Sequence, residues 1–404
     1  MPYDIIIGRD ESDKKLFENK GLLKIGKGYV KMGQYTSLSN NIHMDVARSH
    51  VVLVAGKRGS GKSYTLGTIA EEISSLEGDA SKNIAPLIFD TMGIFWTMKY
   101  ENEKEKMLLS EWELKPKKLP IRLFAPYGYF EAYQDKGIPV DYPFALKVSE
   151  MTAEDWVLLF GLSLIEPISV LIQRIIFKLK ESGIFDIYDI IEEITKDKNS
   201  SLAEKNAAIS LFEVANTWGV FATKNIQETK IIDLVKAGET TVIDLSVYNS
   251  VGSFNVRALV IGLISRKLFN ERTYYRKVEE IEAISYGTDY LSFIKSRYVP
   301  LVWIFIDEGH EFLPREGKTP ATDALVQLLR EGRQPGISLV IATQQPGQIH
   351  KDVMTQSDIV ISHRINSFGV IIQNNRTSLQ SRQIVYTFFL FPQISSFALS
   401  HLMQ

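Results

Sequence analysis

Gly56, Lys57, Arg58, Gly59, Ser60, Gly61, Lys62 and Ser63 spell G-x-x-x-x-G-K-S directly after the apolar run Val51 to Ala55. Glycines in this pattern let the chain curl until successive backbone N–H groups face one anion, and a helix starting there adds the positive end of its dipole. The chemistry is phosphate binding. Lys62 would reach the outer phosphates of a nucleotide, Ser63 would offer its hydroxyl to Mg2+, and Tyr64 follows on the first helical turn. A second constellation closes the apolar run Leu301 to Ile306, where Asp307 and Glu308 stand side by side. Asp307, at a strand end, is suited to hold the Mg2+ shell, and Glu308 to orient and deprotonate an attacking water. Both acids together point to a triphosphate hydrolase of the additional-glutamate class rather than a nucleotide kinase, which needs no water-activating glutamate.

Two further polar groups fit the same chemistry. The run Ile337 to Thr343 is followed by Gln344, where a polar sensor of the outermost phosphate would sit. Before that run, "LLREGRQPG" carries Arg330 and Arg333 at a helix end. A guanidinium supplied across a subunit boundary stabilises charge on a transferred phosphoryl group, whereas a helix-end cap favoured by the dipole is the bland alternative. Arg333 is preferred as the finger because it lies nearer the loop, with Arg364 behind it.

These residues need a framework of buried strands. Apolar runs at Val51 to Ala55, "APLIFD", "TTVIDLSV", "LVWIFID", "ISLVIAT" and "DIVISH" alternate with helical stretches, which predicts a mainly parallel α/β sheet with ligands at the carboxyl ends of its strands. Residues 1–48 read as a short β unit, 49–95 and 230–370 as the ATPase core, and 96–229 as a mostly helical insertion. Within the insertion, "SEMTAEDWVLLFGL" opens like a capped helix, and Val157 to Phe177 is broken by Gly161, Glu166, Pro167 and Arg174 into two amphipathic helices rather than a membrane span.

Composition sets outer bounds. With 404 residues, 45% of them hydrophobic and 23% charged, the chain reads as an ordinary globular protein of two or more units. It has no cysteine and six scattered histidines, so neither disulfides nor a zinc site are expected, and a cytoplasmic setting is the default. A net charge of −2 confines nucleic-acid contact to local clusters. Arg315 and Lys318 in "LPREGKTP", and His350 and Lys351 in "GQIHKD", are the candidate DNA contacts, on loops that would face a ring axis. The cluster "SRKLFNERTYYRK" reads first as a solvated helix end.

Taken together, "GKRGSGKSYTLG", "FIDEGHEFLPREG", "LLREGRQPGISLVIATQQPGQI" and "DIVISHRI" resemble the HerA group of archaeal ATPases, relatives of the FtsK DNA pumps. The resemblance covers roughly Val51 to Asn366. It implies a RecA-like P-loop NTPase that forms a homo-hexamer around double-stranded DNA, hydrolyses ATP with Mg2+ to translocate, and works beside a NurA-like nuclease in DNA repair, away from any membrane. It also implies Lys62 and Ser63 on phosphate and Mg2+, Asp307 and Glu308 on Mg2+ and water, and Gln344 as sensor. A full N-terminal barrel of the group's kind scarcely fits before Gly56, so barrel-mediated docking of a nuclease is not expected. From 371 to 404 the chain is atypical, with no acidic residue and no clear helical or strand period. Of an apolar docking tail, a buried terminal helix and a shifted reading frame, the composition favours the last. Two other functions stay open: an ATPase that remodels a protein assembly without DNA, and a scaffold that binds ATP without cutting it.

Overall fold

The computed structural model describes residues 4–32, 35–78, 80–223, 225–249, 254–286, 297–364 and 383–386. The chain opens with strand β1 (Ile5–Ile7), helix α1 (Glu11–Phe17) and strands β2 (Leu22–Met32) and β3 (Tyr35–Asp45), which form a three-stranded sheet in the order β1-β3-β2. The central element follows. Strand β4 (Val51–Ala55) runs into helix α2 (Lys62–Ser74), strand β5 (Ile84–Asp90), helix α3 (Lys106–Glu111), strand β6 (Ile121–Pro126), helix α4 (Phe130–Asp135) and strand β7 (Tyr142–Phe144). Four helices come next: α5 (Ala153–Leu159), α6 (Pro167–Ser182), α7 (Ile187–Lys196) and α8 (Leu202–Asn216). Helix α9 (Ile231–Leu234), strand β8 (Thr240–Asp244) and the long helix α10 (Phe254–Tyr286) lead back to strand β9 (Leu301–Ile306). Helix α11 (Thr322–Glu331), strand β10 (Ile337–Thr343), helix α12 (Lys351–Gln356) and strands β11 (Ile359–Ser362) and β12 (Gln383–Tyr386) complete it.

Strands β4 to β12 make one sheet in the order β12-β11-β4-β10-β9-β5-β8-β6-β7, and every recorded pairing in it is parallel. The reason is visible in the side chains. Strands β4, β5, β9, β10 and β11 are mostly apolar, and β8, although it carries Thr240, Thr241 and Asp244, is buried throughout, because both faces of the sheet are covered. On β4, Leu53 and Ala55 join a core shared with α5–α8, α10 and α11, while Val52 and Val54 join the opposite core with α2 and the N-terminal sheet. Since all these strands run the same way, their carboxyl ends lie along one edge.

Two expectations are corrected. The segment 96–229 is not wholly an insertion, because β6 and β7 extend the central sheet beyond β8. The helical part proper is α5–α8, where capping boxes at Thr152–Asp155, Asp186–Asp189 and Ser201–Glu204 start three of the four helices. The stretch Val157 to Phe177 divides between α5 and α6, and among the described residues no helix is long and apolar enough to cross a membrane. The terminal segment also contains a strand where no period was read: β12 pairs with β11 from Ile359↔Gln383 to Ser362↔Tyr386. The rest of 371–404, and with it the shifted-frame expectation, lies outside the described residues.

Candidate functional site

Gly56 to Gly61 leave β4 and enter α2 through a loop shaped by backbone alone. Gly61 sits at the helix N-cap with φ 96, a left-handed value that a side chain would strain, and its place there turns the first helical N–H groups toward the loop's concave side. Lys62 and Ser63 occupy the first helical turn and are buried; Tyr64 and Lys57 are half-buried and Arg58 is exposed. The Lys62 ammonium donates to the Lys57 carbonyl at 3.3 Å, so its stem already folds back over the loop.

Strand β9 is two places from β4 in the sheet, yet its end meets α2. The Ser63 hydroxyl donates to Asp307 Oδ2 at 2.5 Å, which sets two hard oxygens side by side. Among the described residues no group of three or more His, Asp or Glu is placed to hold a metal ion. Two protein oxygens beside a phosphate loop fit Mg2+, which keeps most of its shell as water and substrate phosphate. Two orphaned atoms fit a nucleotide as well. Ser60 Oγ and Glu308 Oε2 are buried without a hydrogen-bond partner, and they lie in the loop and beside Asp307, respectively.

Glu308 adopts φ 50 and ψ 43, a left-handed conformation that costs a non-glycine residue roughly 1 kcal/mol or more. Its N–H donates to Asp307 Oδ1 at 2.8 Å. Burial, then the Asp307 charge, push its carboxyl up to about 7, against the pull of the Lys62 ammonium and a hydrogen bond from the Gln344 backbone. A carboxyl held there takes up a proton far more readily than an ordinary glutamate. Gln344 thus touches Glu308 through its main chain, and it is half-buried at the end of β10.

One residue the sequence reading passed over lies between these groups. His310 Nδ1 is 3.2 Å from Thr343 Oγ1 and 3.6 Å from Glu308 Oε2, and its Nε2 is 3.2 Å from Gln345 Nε2. Burial, then Lys62, lower its pKa, so the ring is neutral. A histidine two residues after a glutamate carries no signal of its own; only the adjacency of β9 and β10 gives it partners.

The arginines stand elsewhere. Arg330 pairs with Asp352 at 2.6 Å at the start of α12, and Arg333 is exposed just before β10 begins, at the amino end of that strand. The two loops carrying Arg315 and His350 are joined: Pro314 bridges Ile349, Arg315 N–H donates to the Gln348 carbonyl and His350 N–H to the Leu313 carbonyl, each at 2.7 Å. Within them Lys318 pairs with Asp323 at 2.9 Å, and His350 Nδ1 accepts from Asp352 N–H as the N-cap of α12. Arg315 and Lys351 are exposed. In "SRKLFNERTYYRK", Arg266 pairs with Asp155 and Arg272 is buried against the Pro335 and Val299 carbonyls, so those side chains brace α10.

A second acidic pair borders the site. Asp90 and Asp244 face each other in the β5–β8 register. Burial, then the neighbouring Asp244, raise Asp90 to about 7, although its carboxylate accepts from the N–H groups of Met92, Gly93 and Phe95.

A glycine-rich turn between a buried strand and a helix, with an acid-tipped strand against its hydroxyl, defines a P-loop protein of the additional-glutamate class. Comparison with known proteins gives the family: the family model described as the central domain of helicase HerA matches residues 25–268, more than half of the sequence, and the chain belongs to that family. A Methanocaldococcus jannaschii protein named as a probable DNA double-strand break repair helicase HerA is 23% identical over 76% of this chain and 60% of its own. The Saccharolobus solfataricus DNA double-strand break repair helicase HerA is 22% identical over 86% of this chain and 59% of its own. The matches thus span about 60% of those relatives' length. Among solved structures, VirB4 of Thermoanaerobacter pseudethanolicus superposes with a TM-score of 0.49 at 10% identity, covering 88% of each chain.

Proposed function

We propose that this chain is a Mg2+-dependent ATPase that assembles into a homo-hexameric ring and uses hydrolysis to move double-stranded DNA. The observation that carries the catalytic part is the Ser63–Asp307 contact with Glu308 beside it. Mg2+ would be held by the Ser63 hydroxyl and the Asp307 carboxylate, and would supply Lewis-acid stabilisation of phosphate charge. Lys62 and the loop N–H groups would bind the phosphates, Ser60 would add a hydroxyl, and Glu308 would take a proton from water. Gln344 would read the outermost phosphate through its place beside Glu308. Arg333, exposed at the amino end of β10, would complete the site of a neighbouring subunit.

The DNA part rests on the family and on the relatives' named activity. Arg315 and Lys351 are exposed on the two joined loops and would carry phosphate contacts, whereas Lys318, also exposed, is paired with Asp323 and His350 caps a helix. A NurA-like nuclease is the partner that the family implies. The same two ties, with a net charge of −2, favour the protein-remodelling alternative to the extent that they thin the basic surface. ATP hydrolysis measured with and without linear duplex DNA separates the readings. Stimulation that vanishes in Glu308→Gln is the expected result; Glu308-dependent turnover indifferent to DNA would favour protein remodelling, and absence of turnover would leave a binding scaffold.

A further inference from the structure

The phosphate loop is braced from the side opposite the catalytic acids. Strand β11 lies beside β4, and the two residues that follow it run under the loop. His363 N–H donates to the Ala55 carbonyl at 2.7 Å, and Lys57 N–H donates to the Arg364 carbonyl at 2.9 Å, so the backbone at 363–364 grips the loop's first limb. The His363 side chain reaches the second limb. Its Nε2 is 2.9 Å from Thr65 Oγ1 on α2, and the ring also hydrogen-bonds the Ser60 backbone. Contact is tight: a Cβ built on Gly56 would stand 2.7 Å from His363 Cβ and 2.5 Å from Ser60 Oγ, which leaves room for glycine alone.

The ring is buried, at 8% exposure, and burial and the nearby Lys62 ammonium lower its pKa to about 4, so it is neutral. A neutral imidazole has one donor and one acceptor. The Ser60 contact favours the protonated ring, so its partner there is the carbonyl, and the donor is Nδ1–H; Nε2 then accepts from the Thr65 hydroxyl. The consequence concerns the anion. A loop that binds phosphate works by aiming N–H groups inward, and any carbonyl that swings inward repels the ligand. Holding the Ser60 carbonyl against a buried ring commits that peptide unit to face outward.

We propose that His363 is a positioning residue for nucleotide binding: it pins the Ser60 carbonyl and the Thr65 hydroxyl so that the loop presents only donors to the phosphates. This rests on the nucleotide-binding reading of the loop. It extends the site to a strand that the phosphate motif and the acidic strand do not include, and it makes the junction after β11 part of the site.

The test is the affinity of the full chain for fluorescently labelled ADP with Mg2+, read beside the melting temperature of the unliganded protein. His363→Leu keeps bulk but supplies no donor, and should weaken binding on the order of 10-fold. His363→Asn retains an N–H near the Nδ1 position and should recover most of that loss, although it leaves Thr65 unpaired. Thr65→Val, which keeps the ring in place but frees its acceptor side, should weaken binding less than His363→Leu. A role in packing alone predicts lower melting temperatures with native affinity in the folded protein, and that result overturns the proposal. Equal losses in His363→Asn and His363→Leu overturn it too, because the donor would then be irrelevant. If His363→Leu does not fold, His363→Asn against Thr65→Val decides: His363→Asn must bind within a few-fold of the native chain. Failure of the native chain itself to bind ADP would instead sink the nucleotide reading, and this one with it.

Discussion

Raising the pH takes a proton from a group buried where the N-terminal sheet meets the core. His50 precedes β4, its side chain is 2% exposed, and each ring nitrogen faces a carboxylate: Nδ1 lies 2.6 Å from Asp358 Oδ2 and Nε2 lies 3.2 Å from Asp45 Oδ2. Arg9 adds a cation on the far side of Asp45, and the Trp303 ring packs at 6.2 Å. Burial opposes the charge, but hydrogen bonds to Asp358 and Asp45 outweigh it and raise the His50 pKa to about 9. The ring is thus an imidazolium in the folded chain at neutral pH. Because the folded pKa lies above the unfolded value of 6.5, the stabilisation is fully present below 6.5 and disappears as pH rises through about 9. A shift of this size corresponds to about 3 kcal/mol. Denaturant unfolding of the native chain and of His50→Gln at about pH 6 and about pH 9.5 measures it. Glu308 and Asp90, each raised to about 7, also cost stability as pH climbs from the ordinary carboxylate range to 7, so the variant supplies the baseline for them. The native chain should lose about 3 kcal/mol more than the variant over that span. Parallel profiles would refute the doubly paired imidazolium.

Further outcomes follow from the site. Glu308→Gln should reduce turnover by at least about 100-fold while ADP affinity stays near native, read by phosphate release and labelled-nucleotide binding; unchanged turnover would remove Glu308 from the reaction. Arg333→Ala should cost about 1,000-fold in turnover, far more than Arg330→Ala, whose guanidinium is held by Asp352. Mixing Arg333→Ala with Glu308→Gln protein should restore activity, since some interfaces then hold one intact site; no recovery would refute a finger acting between subunits. Arg315→Ala and Lys351→Ala should each weaken duplex binding whatever the sequence and reduce the slope of log affinity against log salt by about 1. An unchanged slope would place those side chains outside the DNA path.

Much of this architecture was legible because buried parallel strands write themselves as unbroken apolar runs. β4, β9 and β10 carry five, six and five apolar residues, and the residues following them supply the loop, the acids and Gln344. Short edge strands leave no such mark: β7 is three residues, Tyr142–Phe144, two of them exposed, and β12 is four. Strand order was hidden as well. Nothing local says that Asp90 will face Asp244 across β5 and β8, or that β11 will lie beside β4, and those adjacencies decide which side chains meet. Isolated histidines suffer most. His50, His310 and His363 each find partners from strands or loops distant in the chain, so spacing could not reveal them.

The order of the strands also explains why one loop can report on so much of the chain. β4 has β10 on one side and β11 on the other, so Gly56 N–H bonds the Thr343 carbonyl while Lys57 N–H bonds the Arg364 carbonyl. Thr343 in turn receives the Gln345 N–H and contacts His310, which stands within 3.6 Å of Glu308. Any change in the loop's curl therefore strains two neighbours at once. Toward β10 the strain reaches the proposed water-activating acid and the junction where Arg315 bonds Gln348 and His350 bonds Leu313; toward β11 it reaches His363 and Arg364. These connections are contiguous hydrogen bonds between discrete groups, and whether they couple nucleotide binding to the adjoining loops is decided by a coupling measurement. Separating the two directions is a matter of reading DNA-stimulated turnover in His363→Asn against DNA-stimulated turnover in Gln345→Ala. If β10 carries the signal, the first variant keeps stimulation and the second loses it.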